Sequence, residues 1–352
     1  MIRVLRRARP TTKLIPRHLS TAAPDAAADS ECDRLVKQYD YENYMCSLFL
    51  PEDVRSSVLS TRAFNVELAT IRDAARNNSL TGRLRFQFWR DVLDGAYADH
   101  STTTSTTSTT STSTTSSTSS TASPPPALNP ISRSLYSAVR QRSLNKRWLS
   151  RLLVAREKEL ENEELSDMGD FEEYAEAVGS SLMYLSLQCH GLRENEEEVL
   201  RYGGTYDEAS YRAAGHVGRA MGMVTMLRGI PMTAEAGQRF TLPFWIMSTH
   251  GVKREDFLNG GPSTIVMRDA VLEAATAANN QLLDVKQMQE ENEISSTAAS
   301  ALLPAALAQD FLTRLEDADF DIFSPTLMRS KWNNVQLMLR LYRLQSKGKI
   351  LL

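Results

Sequence analysis

Two carboxylates four residues apart on a helix share one face, about 5–6 Å between Cβ atoms, and can hold a divalent cation between them. Asp317 and Asp321 have that spacing, with Glu316 and Asp319 among them. They run straight into Ile322-Phe323-Ser324-Pro325, so a helix end and a turn are expected there and not a metal-bearing face. Cys189 and His190 put a thiol beside an imidazole, but no second pair completes a zinc site. The acidic runs at 157–164 and 194–198 are broken by Lys, Arg, Asn or Leu and read as solvated surface. Met221, Met223 and Met226 could form an adaptable binding surface, yet their spacing on a central helix favours core packing. These residues assign no catalytic group, no cofactor and no metal ligand.

The elements that must position any site are helical. Residues 52–77 place Val54, Val58, Leu59, Val66, Leu68 and Ile71 at three- and four-residue spacings, and residues 81–98 do the same with Leu84, Phe88, Trp89, Val92 and Leu93. Asp170 with Glu173 fits a capping box opening a helix through Val178 to Cys189. Asn129-Pro130 and Ser324-Pro325 each fit a cap followed by proline at the first helical position. Persistent two-residue alternation and hairpin turn residues do not occur. One all-α domain over 31–345 is expected, interrupted at 99–127. That insertion holds an unbroken Ser/Thr tract from Ser101 to Thr121 and then Pro124-Pro125-Pro126. It lacks the apolar area that would offset the entropy of ordering, and a long polar loop costs little in closure entropy. It is therefore expected to be a disordered linker.

The chain has 352 residues, of which 42% are hydrophobic and 24% charged, with a net charge of −3. Nothing in that balance points to nucleic acid. Cys32, Cys46 and Cys189 suit a reducing compartment. The first 23 residues carry Arg3, Arg6, Arg7, Arg9, Lys13 and Arg17, and no acid precedes Asp25. An arginine-rich, acid-free leader over 1–28 reads as a mitochondrial transit peptide, with a plastid address as its competitor. No segment reaches the roughly 20 apolar residues that a membrane span needs. The mature protein is expected to be soluble or peripheral to a membrane.

Residues 213–243 resemble the second metal-binding helix of the squalene and phytoene synthases, whose pattern runs L-G-x-A-x-Q-L-T-N-I-L-R-D-x-x-E-D and closes with G-R-x-Y-L-P. Val217, Gly218, Ala220, Leu227 and Arg228 keep the frame, and Gln238 to Pro243 echo the closing phrase. Gly229 and Thr233 stand where that family has its two aspartates, Met232 replaces the adjacent glutamate and Thr225 replaces the asparagine. The first acidic motif, A-F-C-R-x-x-D-D-x-x-D, is met by Ala63 to Asp73. There Ala69 and Thr70 replace the paired aspartates and Asp73 alone keeps its acid. Tyr174 to Gly179 and Gly251 to Phe257 resemble two further segments of the family.

The resemblance implies an isoprenoid-synthase-type helical domain that has lost its metal site at Ala69, Thr70, Thr225, Gly229 and Thr233. Without those acids, magnesium ions could not neutralise a diphosphate leaving group. Glu67, Asp73 and Arg228 are left as a vestigial pocket, in which Arg228 and Asp73 are expected to form a structural ion pair, the alternative being a pocket that still accepts an anion.

One branch of the superfamily, the assembly factors of mitochondrial respiratory complex I, is more similar still. Asp40 to Pro51, Arg62 to Ala69, Leu144 to Leu149, His250 to Val252 and Asp319 to Pro325 carry that similarity. It implies a non-catalytic factor in the mitochondrial matrix, peripheral to the inner membrane, that binds a nascent subunit there, in that branch the mitochondrially encoded core subunit 1. The alternatives are a prenyl-diphosphate transferase with an unconventional metal site, or an isoprenoid or quinone carrier that keeps an apolar cavity.

Overall fold

The computed structural model describes residues 25–75, 79–98, 129–161, 165–235, 241–258, 263–327 and 331–351. The described chain begins with α1 (Ala26–Tyr39), α2 (Tyr41–Ser47), α3 (Glu52–Ala74) and α4 (Ser79–Ala98). After the insertion come α5 (Pro130–Arg142), α6 (Lys146–Lys158), α7 (Met168–Ala175), α8 (Ser181–Cys189) and α9 (Glu196–Tyr202). The remainder comprises α10 (Glu208–Glu235), α11 (Phe244–His250), α12 (Arg254–Leu258), α13 (Ile265–Glu290), α14 (Ser296–Ala301), α15 (Ala305–Asp317) and α16 (Lys331–Ser346). The fold is all-α. Residues 1–24 of the expected leader and the whole 99–127 insertion lie outside the described residues. Packed structure extends past both ends of the expected 31–345 span, since Asp25 caps α1 and Ile350 and Leu351 are buried.

Short polar side chains set several helix starts by accepting orphan backbone N–H groups. Asn129 accepts from Ser132 N at 2.8 Å with Pro130 in the first turn, as the sequence predicts. The expected cap at Asp170 is displaced by one turn. Asp167 is the N-cap, accepting from Asp170 N at 3.0 Å, while the Asp170 carboxylate reaches back to Ser166 N at 2.8 Å. Ser324-Pro325 opens a single 3-10 turn over Pro325–Leu327 and not an α-helix. Two-residue strands β1 (Leu192–Arg193) and β2 (Thr205–Tyr206) pair in parallel around α9, a register that no alternation announces.

The core is built around α10. Ala213, Ala214, Val217, Ala220, Met223, Leu227 and Ile230 are buried on it, so apolar residues occupy most of its circumference. It packs against α7, α8, α13 and α15, and against a π turn at Glu176–Ser180 that links α7 to α8. At that turn the backbones nearly touch. A Cβ added at Gly218 would lie 2.2 Å from Ser180 Cα, one at Gly179 2.0 Å from Gly218 O, and one at Gly222 2.5 Å from Ala175 Cα. A smaller apolar cluster joins Met45, Cys46, Leu303 and Leu307 to Leu337, Leu341 and Leu344 of α16.

The other sequence candidates have structural roles. The Asp317 helix ends as expected, with Asp319 and Phe320 at positive φ. Asp321 then folds back to accept from Ser263 N at 2.9 Å and Ser263 Oγ at 2.7 Å. His190 Nδ1 lies 2.8 Å from Ser186 O, and burial pushes the Cys189 thiol up to about 12. Among the methionines, Met223 is core, whereas Met221 and Met226 also reach a cavity beside α10.

Candidate functional site

That cavity has a volume of about 380 Å³ and lies between α3, the π turn and α10. From α3 it receives Ala69 and Thr70, and from α10 it receives Thr225 and Gly229. These are four of the positions singled out in the sequence, brought together from helices more than 150 residues apart. Thr233, one helical turn beyond Gly229, does not line it.

The hydroxyls on these two helices are already committed to backbone. Thr70 Oγ1 donates to Glu67 O at 3.0 Å, Thr225 Oγ1 to Met221 O at 2.7 Å and Thr233 Oγ1 to Gly229 O at 3.1 Å. Ala69 and Gly229 offer the cavity no side-chain donor or acceptor. Magnesium needs near-octahedral oxygen coordination with carboxylate charge, so these facing residues do not fit it. Asp73 lies in the last turn of α3, and its side chain is outside the described residues. Among the described residues no cluster of His, Cys, Asp and Glu could hold a metal ion.

Of the expected vestigial pocket of Glu67, Asp73 and Arg228, only Glu67 and Arg228 have described side chains, and neither lines the cavity. Glu67 points away from the cavity, since consecutive helical residues turn by about 100° and Val66, Ala69 and Thr70 take the cavity side. Burial is the main influence on its carboxyl, raising its pKa near Arg85 and Glu31. Arg228 is paired with Glu42 of α2, donating from Nη1 at 2.6 Å and from Nη2 at 3.2 Å. The expected pairing with Asp73 falls on a side chain outside the described residues. Arg228, one turn beyond Thr225, does not line the cavity and also lies over the Phe311 ring.

What the cavity does present is a polar wall that residue types alone did not indicate. Asp40, at the junction of α1 and α2, accepts from Arg62 Nη1 at 3.0 Å and from Asn43 Nδ2 at 2.7 Å. Arg156 of α6 donates to the Tyr174 hydroxyl at 2.8 Å and to Asn65 Oδ1 at 3.2 Å, and pairs with Glu159 at 3.4 Å. Tyr174 in turn donates to Glu159. Burial works against the Arg156 charge, but Tyr174, Glu159 and Asp40 outweigh it and raise its pKa. Asn43 Oδ1 and Arg156 Nε are buried without a protein partner. This wall is an interlocked, charge-compensated lattice. It can recognise polar groups, and it places no free carboxylate opposite α10.

A signal for this wall was present in the sequence. Asp40, Glu42 and Asn43 fall in the Asp40–Pro51 segment, Arg62 and Asn65 in Arg62–Ala69, and Tyr174 opens Tyr174–Gly179. Three of the stretches that carry the resemblance supply much of the wall, whereas Arg156 and Glu159 lie in a segment that carried none.

The family profile described as squalene/phytoene synthase matches residues 36–336. The chain belongs to the squalene/phytoene synthase family. Solved structures agree on the fold. A dehydrosqualene synthase in complex with ligand superposes with a TM-score of 0.67 at 17% identity, covering 91% of this chain and 97% of that one. Squalene synthase HpnC from Alicyclobacillus acidocaldarius gives 0.62 at 14% identity, covering 84% and 95%. Nearer in sequence are proteins named NADH dehydrogenase (ubiquinone) complex I, assembly factor 6. The Bos taurus protein is 33% identical over 90% of this chain and 81% of its own length. The Homo sapiens protein is 33% identical over 89% and 80%. A Dictyostelium discoideum homolog is 27% identical over 82% and 70%.

Proposed function

We propose that this chain is a non-catalytic assembly factor for mitochondrial respiratory complex I. In this reading it works by binding a nascent subunit, the mitochondrially encoded core subunit 1, from the matrix face of the inner membrane. The observation that carries the reading is the cavity between α3 and α10. It is preserved as a space, yet Ala69, Thr70, Thr225 and Gly229 leave it without the carboxylates that ionisation of an allylic diphosphate requires. Similarity to assembly factor 6 proteins over nine-tenths of the chain supports the role. No helix among the described residues is long and apolar enough to cross a membrane, which is compatible with peripheral attachment.

The deciding experiment is the amount of assembled complex I on native gels from cells lacking the protein, with the other respiratory complexes as the internal control. Selective loss of complex I that re-expression restores is the expected result. Normal complex I would overturn the reading.

A second reading draws on the apolar part of the same cavity, where Val66, Leu182, Met183, Met221 and Met226 face the opening. Here the protein carries an isoprenoid or a quinone without turning it over. Native mass spectra of protein recovered from its own mitochondria should then contain co-purified isoprenoid, and ligand-free spectra count against it. Diphosphate release from farnesyl or geranylgeranyl diphosphate with magnesium, abolished by Asp73→Ala, would favour a transferase over both.

A further inference from the structure

Helix α16 has more apolar surface than the core uses. Leu337, Leu341 and Leu344 are buried against α2 and α15. Val335, Leu339 and Tyr342, spaced by four and three residues, form a second stripe that is 48%, 52% and 63% exposed. Single exposed apolar residues are ordinary, whereas three large ones aligned along one helix mark a surface that meets an apolar phase.

Charge identifies that phase. The chain as a whole is acidic, but after Asp321 it has Arg329, Lys331, Arg340, Arg343, Lys347 and Lys349 and no Asp or Glu. Arg340 is tied to the body of the protein by Gln309 and Asp310. Arg343, Lys347 and Lys349 are exposed beside the stripe and just past its end. An apolar stripe flanked by cations, on a helix too polar overall to span a bilayer, has the pattern of an element lying in the plane of an anionic lipid surface. Tyr342 suits that boundary, with a ring that enters the acyl edge and a hydroxyl that stays wet. A protein groove would need acids opposite these cations, whereas an anionic bilayer supplies negative charge over its whole area.

We infer that α16 is a membrane-docking helix, seating Val335, Leu339 and Tyr342 in the interface of an anionic bilayer while Arg343, Lys347 and Lys349 contact lipid headgroups. The inference rests on the assembly-factor reading for its physiological setting, and on α16 alone for its physics.

The test is co-sedimentation of the full chain with vesicles of phosphatidylcholine, and with vesicles in which one lipid in five is phosphatidylglycerol. Arg3, Arg6, Arg7, Arg9, Lys13 and Arg17 are replaced by Gln throughout, so that leader charge does not contribute. The otherwise unaltered chain should partition into the anionic vesicles and not the neutral ones. Val335→Gln, Leu339→Gln and Tyr342→Gln together should weaken that partition about tenfold or more, with an unchanged thermal midpoint. Arg343→Gln, Lys347→Gln and Lys349→Gln together should weaken it by about fivefold for each charge that reaches the surface, and this variant carries the test if the first does not fold. Equal binding by the unaltered chain and the charge variant overturns the inference. So does a stripe variant that binds vesicles normally yet, expressed in cells with its leader unaltered, fails to restore complex I, since a protein would then cover the stripe. The vesicle result is independent of the native gels, so either claim can fail without the other.

Discussion

The two halves of α10 contain the same residue type for opposite reasons. In the upstream half, Gly218 and Gly222 lie against the π turn, where an added Cβ would fall 2.2 and 2.5 Å from backbone atoms of the neighbouring segment. Packing excludes any side chain there. In the downstream half, Gly229 faces the cavity and an added Cβ would meet nothing within 4 Å. Sterics do not require glycine at 229, and glycine in a helix interior is less favourable than alanine. Upstream, the helix retains what a tight crossing demands. Downstream, it holds a residue that neither packing nor coordination chemistry selects. A framework under packing constraint around a cavity that is not packed fits the scaffold role proposed above.

The largest test of this contrast is Gly218→Val, which drives a branched side chain into the Ser180 backbone. It should cost about 3 kcal/mol or more, read as a collapse of the urea midpoint. A mild effect would mean that the crossing is not tight in solution. Next comes Arg228→Ala, which removes the cation from Glu42. The Glu42 side chain is only 11% exposed while that of Arg228 is 40% exposed. Losing the arginine should therefore cost about 1–3 kcal/mol. Glu42→Ala, which leaves an arginine that can reach water, should cost less than about 1 kcal/mol. Equal losses would show that the pair is not anchored from the α2 side.

Gly229→Ala should go the other way, stabilising the protein by about 0.5–1 kcal/mol and raising the thermal midpoint. Destabilisation at this position on the scale of Gly218→Val would erase the difference between the two halves. The smallest effect belongs to Glu67→Gln. Burial raises the Glu67 pKa above its ordinary 4.5, so the folded state binds this proton more tightly than the unfolded state does. The parent protein then loses stability as pH rises from about that value through the raised one. The glutamine variant should be more stable near neutrality, by less than about 0.5 kcal/mol, and the gain should vanish in acid. A gain that persists in acid would assign the effect to packing and not to charge.

Legibility in the sequence follows the range of the interaction. Helix-period patterning placed α3 and α4 to within a few residues, and Asn129-Pro130 marked the start of α5, because both signals are local. The Asp167 cap was displaced by one turn because Asp167 and Asp170 are chemically equivalent candidates. Choosing between them depends on how Ser166 is held, and that loop is tied to α11 through the Phe244 and Trp245 amides. The family resemblance implied one former metal site at Ala69, Thr70, Asp73, Thr225, Gly229 and Thr233; Ala69, Thr70, Thr225 and Gly229 line one cavity, whereas Thr233 does not. The pairing of Arg228 with Glu42 was not anticipated because the two lie 186 residues apart and no local pattern links them.

The helical character of the chain and its basic, acid-free leader follow from residue identity and short-range periodicity, and the missing carboxylates from the resemblance to the family's motifs. Those properties depend on side-chain charge, volume and helical pitch, which act within a few residues. Three features were decided by the tertiary structure: the contact of Gly218 with the π turn, the Asp40–Arg62 and Arg156–Glu159 wall, and the face of α16 left outside the core. Each depends on which distant surfaces come together, and burial that satisfies the whole chain at once selects among the many pairings that local preferences allow.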